Sequence, residues 1–446
     1  VLAVALLAIT VPLAPVAADE PPTDPPVRLA SPEIFGYLPY WSLDAQIDYS
    51  AITTIAYFGL AANADGTLKR YNNGGGMTTE YSRWQGNKVR SIIDEAHANG
   101  VKFVLTVERM AWDDGPKAVT RALLSSPEAR LTLANEIAAE VSNRGLDGVT
   151  LDFEPMLSDQ RDNFALLLGE IRAALDAVNP AYQLTFAATG SAPALTYEMF
   201  GNVTAAGNAD AVIIMGYPLR AIDAKRAGGL APMYSPYSYD LKQIVKAYLN
   251  YVAGDNVILA LPWYGREWPT LTDEVNAYTQ QNRSLYDRAY NINYVPALRA
   301  AIAHGRRYDP SEQSAWTAYR WRHCADCPET WKEVYYEDVE SLAYKYDFAA
   351  TKGLAGIGIW ALGYDKDQPE MWSLLRVKYR GFVDTNPPSG TFGLSPDEKF
   401  CRAPRVALDF SVNDGNGSGT VYLRLSNEST KGADGQLVKG LTYPVA

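Results

Sequence analysis

The sequence predicts an α/β fold, a (β/α)8 TIM barrel, and three observations carry that reading. Eight short runs rich in β-branched and apolar residues are spread over roughly 350 residues, the length one such barrel occupies. Amphipathic helical stretches lie between them, as the crossovers between parallel strands require. No Gly-rich phosphate turn follows the first run, which favours barrel closure over a doubly wound open sheet.

In chain order the strands are read at Ile34–Leu38, Thr53–Phe58, Lys102–Val107, Gly148–Phe153, Leu184–Ala188, Ala211–Gly216, Val257–Leu261 and Gly356–Trp360. Helices are read at Asn87–Ala98, Ser126–Asn143, Gln160–Val178, Tyr239–Val252 and Asp338–Thr351. The fourth strand is the most informative. Leu146–Pro155 reads L-D-G-V-T-L-D-F-E-P, and its alternation sends Val149, Leu151 and Phe153 to one face. Gly148, Thr150, Asp152 and Glu154 share the other face, and Pro155, with no N–H to donate, closes the strand. Two acids held together on a buried strand ionise in turn rather than together. Sharing a proton raises an apparent pKa toward neutrality, as a general acid requires.

This decapeptide resembles the D-x-x-D-x-D-x-E motif of glycoside hydrolase family 18, the chitinases and their relatives. Asp147, Asp152 and Glu154 match its first, third and fourth fixed positions. Thr150 occupies the second, where many chitinases carry Asp; that position is often non-acidic in the bacterial branch of spore-cortex and peptidoglycan N-acetylglucosaminidases. Phe35–Trp41 is similar to the family's first strand. Ile213–Pro218 resembles its sixth-strand M-x-Y-D, keeping Met215 and Tyr217 but placing Pro218 where the family has Asp. Leu261–Trp268 resembles the seventh strand, with Tyr264 and Arg266, and Gly356–Gly363 the eighth, with Trp360. The third strand departs: T-V-E-R at Thr106–Arg109 stands where the family has S-x-G-G, so Glu108 and Arg109 are expected to reshape that side of the cleft. About 85 residues separate Arg266 from the eighth strand, far beyond an ordinary loop. Their W-K-E-V-Y-Y-E-D-V-E phrase resembles the end of the family's small α+β insertion, placed here at about 267–352.

The resemblance implies hydrolysis of β-1,4 bonds after N-acetylglucosamine with retention of configuration. In this chemistry the substrate's own acetamide attacks the anomeric carbon. Glu154 is then the general acid and later the base, and Asp152 orients and charge-stabilises the acetamide. Tyr217 donates its hydroxyl to the acetamide oxygen, and Trp360 floors the sugar. Tyr37, Met215, Tyr264 and Arg266 are the remaining substrate contacts. Thr150 cannot share a proton with Asp152 as an Asp would, so a shifted or narrower pH optimum is expected. An inactive sugar-binding protein on the same fold is the competing class; such proteins typically lose the final acid, which Glu154 retains. No cofactor is expected and no metal.

Composition narrows the partners. The 446 residues carry 51 acids against 40 bases, a formal charge of -11, and no Lys/Arg block interleaved with aromatics. That excludes nucleic acid and favours a neutral glycan: chitin as first choice, peptidoglycan glycan as second. Leu2–Val16 with the small residues Ala17 and Ala18 reads as a secretory signal peptide over 1–18, leaving a secreted, extracellular chain with no membrane association after cleavage. Residues 19–32 are a Pro-rich linker, 33–382 the barrel, and 383–446 a linker with a partial immunoglobulin-like β domain. Export makes a disulfide the first reading of the C-x-x-C at Cys324 and Cys327, with Cys401 left over. The turn at Asp414 reads as solvated rather than as a calcium site, His97 and His304 as solvated, and the protein as a monomer.

Overall fold

The computed structural model describes residues 28–190, 201–204, 207–366 and 368–381, and four strands between 389 and 444. The expected signal peptide (1–18), most of the Pro-rich linker, Cys401 and the Asp414 turn lie outside the described residues. Eight parallel strands close into a barrel: β1 (Glu33–Pro39), β2 (Thr54–Ala61), β3 (Lys102–Met110), β4 (Gly148–Glu154), β5 (Gln183–Thr189), β6 (Ala211–Met215), β7 (Val257–Pro262) and, after an insertion, β13 (Gly356–Trp360). β13 pairs with both β7 and β1 and so completes the ring. These are the eight strands read from the sequence. Two strands run three residues further than read: β2 to Ala61, and β3 to Met110 because its ladder with β4 continues through Glu108↔Asp152 and Met110↔Glu154.

Barrel strands are buried on both sides, as a parallel sheet covered by helices must be. Outward residues such as Val149, Leu151 and Phe153 join the large core beneath the helices α4 (Pro127–Arg144) and α5 (Arg161–Asp176). α1 (Thr79–Trp84), α2 (Asn87–Ala98) and α3 (Asp114–Ser125) precede α4 in the chain. Inward residues, among them Phe35, Tyr37, Phe58, Ile213, Met215 and Ala260, fill the barrel itself.

The approach to β4 is set by local chemistry. Ser126 caps α4 by accepting from the Ala129 N–H at 3.1 Å, Pro127 occupies its first turn, and Gly145, at φ 67°, ends it in the left-handed region. Asp147 Oδ2 then accepts from the Phe103 N–H at 2.7 Å and lies 2.9 Å from His97 Nε2, fastening the start of β4 to β3 and α2. His97 is therefore partnered, not simply solvated. Gly148 follows at φ 151°, where a Cβ would stand 2.0 Å from the Gln183 carbonyl oxygen, so no side chain fits.

α6 (Leu241–Leu249) leads into β7, and the insertion opens directly beyond it. Its antiparallel sheet has the order β10 (Arg307–Asp309), β11 (Ser314–Arg322), β12 (Glu329–Tyr336), β8 (Tyr264–Thr270), β9 (Tyr290–Asn293), with α7 (Tyr294–His304) alongside. This corrects the sequence reading at both ends. Tyr264 and Arg266 do not belong to the seventh barrel strand: Gly265–Thr270 pairs antiparallel with Trp331–Tyr336, so the insertion begins at Tyr264. At the far end α8 (Val339–Thr351) returns to the barrel, burying Leu342, Tyr346 and Ala349 in the main core with Ile357 and Ile359. α9 (Pro369–Tyr379) follows β13.

Cys324 and Cys327 are disulfide-bonded within the turn between β11 and β12, as the exported reading expected. His304 stacks on Tyr319 at 4.6 Å, again a contact the sequence did not suggest. Beyond α9 the described strands form two antiparallel ribbons, Ser389–Leu394 with Leu408–Asn413 and Tyr422–Leu425 with Leu441–Pro444. An immunoglobulin-like sandwich there stays an expectation. No helix among the described residues is long and apolar enough to cross a membrane.

Candidate active site

The C-terminal ends of the barrel strands converge on one acidic, aromatic-rimmed centre, where active sites of this architecture lie. β4 supplies Asp152 and Glu154 from its inward face. Asp152 is 4% exposed and Glu154 half-buried at the strand's last position. β3 brings Glu108 into register with Asp152. Ala111, just past β3, donates its N–H to the Glu154 carbonyl at 2.5 Å, which places the exposed Trp112 next along the rim.

The electrostatics follow from three carboxyls gathered on one inward face, one buried and two partly so. Burial, then the neighbouring Glu154 and Glu108, holds Asp152 well above its ordinary value. Burial first and Glu108 second push Glu154 up to about 7. Glu108 also rises to about 7, through burial and then Glu80, against the opposing pull of Arg109 and Lys69. Burial keeps the Tyr37 and Tyr217 hydroxyls protonated, with Asp152 and Glu154 adding to the effect, so both remain neutral donors. Asp152 Oδ1 is buried without a hydrogen-bond partner in the protein, an acceptor presented to whatever donor a ligand brings.

Aromatic rings surround these acids. Trp360, the last residue of β13, packs edge-on against Phe58 at 4.8 Å and lies 5.7 Å from Tyr37 and 6.5 Å from Trp41. Trp41 is half exposed and donates its Nε1–H to the Tyr364 hydroxyl at 3.4 Å. Tyr364 meets Tyr264 at 6.3 Å, and Tyr264 meets Tyr217 at 6.2 Å. A groove of about 420 Å³ lined by Trp41, Tyr364, Gly363, Lys366 and Asn293 leads from this rim toward the insertion.

Of the residues singled out from the sequence, the fold gathers Tyr37, Asp152, Glu154, Met215, Tyr217, Tyr264 and Trp360 about one centre. Arg266 departs from expectation. It is 3% exposed and spent on the protein, donating from Nε to Asn291 Oδ1 at 2.9 Å and from Nη1 to the Arg220 carbonyl at 2.6 Å. Two of its three guanidinium nitrogens thus secure the insertion behind Tyr264. Sequence reasoning gave Glu108 no catalytic role and did not single out Trp41 or Trp112. The alternation Thr106, Glu108, Met110 could have put Glu108 on the inward face. Among the described residues no cluster of three or more His, Cys, Asp or Glu has the arrangement to hold a metal ion.

Comparison with known proteins gives the family and agrees with the fold. The family model for glycosyl hydrolases family 18 matches residues 33–365. The chain is 28% identical over 278 residues to the protein of Bacillus subtilis (strain 168) named "Putative sporulation-specific glycosylase YdhD", covering 61% of this chain and 60% of that protein. It is 23% identical over 301 residues to Chitinase A1 of Niallia circulans, covering 60% of this chain and 41% of that protein. The chain thus spans only about two-fifths to three-fifths of these relatives' lengths. Among solved structures, a chitinase from Rhizomucor miehei superposes with a TM-score of 0.63 at 21% identity, over 78% of this chain and 99% of that one, and shares the fold.

Proposed function

The chain belongs to glycosyl hydrolases family 18, and from that premise we propose that it hydrolyses β-1,4 linkages following N-acetylglucosamine by the substrate-assisted, retaining route. One observation carries the reading: Asp152 and Glu154 share the inward face of β4 at the barrel rim, one deep and unpaired, the other half-buried and held near neutrality. Glu154 protonates the leaving oxygen, which a carboxyl titrating near 7 can do at physiological pH. Asp152 accepts the acetamide N–H and steadies the positive charge that develops as the acetamide oxygen attacks. Tyr217 donates to that oxygen, and Trp360 offers the sugar an apolar face. Glu154, now a carboxylate, draws the proton from the water that opens the oxazolinium ring.

Chitin-type oligosaccharides are the first substrate, in keeping with the net charge of -11 and the aromatic groove. Peptidoglycan glycan is the second reading, favoured by Thr150 in place of an acid and by the sporulation glycosylase among the relatives. The protein acts as a secreted monomer in either case. Incubation with chitohexaose and, separately, with purified sacculi, followed by mass spectrometry, tests the proposal. Wild type is expected to release N-acetylglucosamine-terminated products, and Glu154→Gln to lose about 10²–10⁴-fold in rate. Glycan binding with no turnover by wild type would replace this reading with that of a sugar-binding protein.

A further inference from the structure

We propose that Glu108 is a positioning residue of the proposed hydrolytic site, standing on the neighbouring strand in for the acid that Thr150 does not supply. The inference rests on the hydrolase reading above and extends it.

Three features of the fold lead there. The β3–β4 ladder sets Thr106 beside Thr150, Glu108 beside Asp152 and Met110 beside Glu154. Parallel neighbours in register send their side chains to the same side, so Glu108 joins the two β4 acids on the inward face. Arg109, next in sequence, forms no ion pair with it: its pull is felt at a distance while its guanidinium hydrogen-bonds elsewhere. Nη1 donates to the Ala62 carbonyl at 2.9 Å, Nη2 to the Pro116 carbonyl at 3.3 Å, and Nε to Thr120 Oγ1 at 3.4 Å. Among the described residues Glu108 makes no ion pair within 4.0 Å.

The charges that face Glu108 are Asp152 and Glu154 from β4, Glu80 from α1, Lys69 from the segment between β2 and α1, and Arg109 on its own strand. Tyr40, after β1, also feels it. Acids outnumber bases in this set, and Asp152 is buried while Glu108 and Glu154 are partly so. Three carboxyls in that setting do not ionise together; they hold at least one proton in common through the neutral range. Thr150, at the deep end of the β4 face, can hold no such proton. Glu108 can, from the side, keeping Glu154 protonated for the first step and taking the load of charge off Asp152.

The test is the pH dependence of kcat/KM on chitohexaose for wild type, Glu108→Gln and Glu108→Asp. Loss of the Glu108 charge lets the remaining acids ionise earlier, so in Glu108→Gln the basic limb should move down by about one pH unit. kcat near pH 7 should fall by about fivefold with KM within about twofold, and Glu108→Asp should restore most of both. A Glu108→Gln profile superimposing on wild type would overturn the proposal. So would a fall in kcat with the limb unmoved, which is the behaviour of a merely structural residue. ¹³C NMR titration of the glutamate carboxyls, with Glu154 assigned through Glu154→Gln, reads the same coupling without turnover. If wild type proves inert on glycans, the hydrolase reading fails, and the role proposed for Glu108 in that reaction fails with it. If turnover is intact but Glu154 titrates alike in wild type and Glu108→Gln, only Glu108's role fails.

Discussion

Asp152 shows at the smallest scale how position converts an ordinary carboxyl into a special one. Nothing in its chemistry differs from Asp65, an almost fully solvated acid whose pKa is lowered by the Thr67 hydroxyl and backbone. Burial at 4% exposure and two like-charged neighbours push Asp152 the other way. Asp152→Asn keeps the shape and still offers an acceptor, but removes the charge meant for the transition state. We expect kcat to fall by about 10²–10³-fold with little change in KM, read by steady-state kinetics. Tyr217→Phe, which deletes one neutral donor, should cost less, about tenfold, and a loss as large as that of Asp152→Asn would assign Tyr217 a greater role than this. The β4 pair was legible in the sequence because strand alternation is a property of one segment alone. Glu108 was not, because its meaning depends on the register between two strands 40 residues apart. T-V-E-R-M shows which face Glu108 takes but not which acid it meets. For Arg266 the limit is related: its spacing from Tyr264 puts both on one strand face but does not show that Asn291 and the Arg220 carbonyl take two of its guanidinium nitrogens.

At the scale of elements, the barrel strands were legible and the boundary of the insertion was not. Each barrel strand is a short apolar run between helices, and burial on both faces leaves that pattern little freedom. The run through Val257 to Tyr264 stays apolar on both sides of Pro262, so composition alone does not show that the chain leaves the barrel there. What ends β7 is tertiary: the Trp263 N–H donates to the Trp360 carbonyl at 2.7 Å, and the chain then turns to pair with β12. The insertion is held to the loop after β6 by a buried network. Arg220 and Glu312, each 1% exposed, form an ion pair, and Glu312 also accepts from the Gly229 N–H at 2.6 Å and Ser235 Oγ at 2.9 Å. Arg220 in turn gives its carbonyl to Arg266. Removing one partner of such a pair strands a buried charge, at about 3–5 kcal/mol. Glu312→Ala should therefore raise hydrogen exchange across β8, β11 and β12. On the proposed reading, in which longer chains run along the groove lined by Asn293, it should also raise KM more for long chito-oligosaccharides than for short ones. Arg220→Met with Glu312→Leu should lose less stability than Glu312→Ala, because no charge is left alone. Equal losses would mean that the network's hydrogen bonds, not its charges, fix the insertion.

For the molecule as a whole, the buried acids set how stability varies with pH. Glu108 and Glu154 are raised to about 7, and Glu333 to about 9, from an ordinary value of 4.5. Glu333 lies on β12 between Ala318 of β11 and Trp268 of β8, with no exposure to solvent, and burial is the main cause of its shift. A carboxyl whose pKa is higher in the folded state favours folding fully only below its unfolded pKa. That contribution is lost as pH rises toward the folded value. For Glu333 the window runs from 4.5 to about 9, and for the two site acids from 4.5 to about 7. At about 1.4 kcal/mol per pH unit, Glu333 alone shifts the balance by several kcal/mol across its window. Surface acids held low, such as Asp65 and Asp159, act in the opposite sense but only below their ordinary value of 3.8. Thermal stability should therefore peak near pH 5 and decline toward pH 9, measured by calorimetry across that range. Glu333→Gln replaces a protonated acid with a neutral amide of the same shape, so its melting temperature should overtake wild type as pH rises and the decline above pH 7 should become shallower. Glu154→Gln should flatten only the part below 7. A Glu333→Gln curve parallel to wild type throughout would show that Glu333 ionises in the fold as freely as in the open chain, and the pH dependence would have to come from elsewhere.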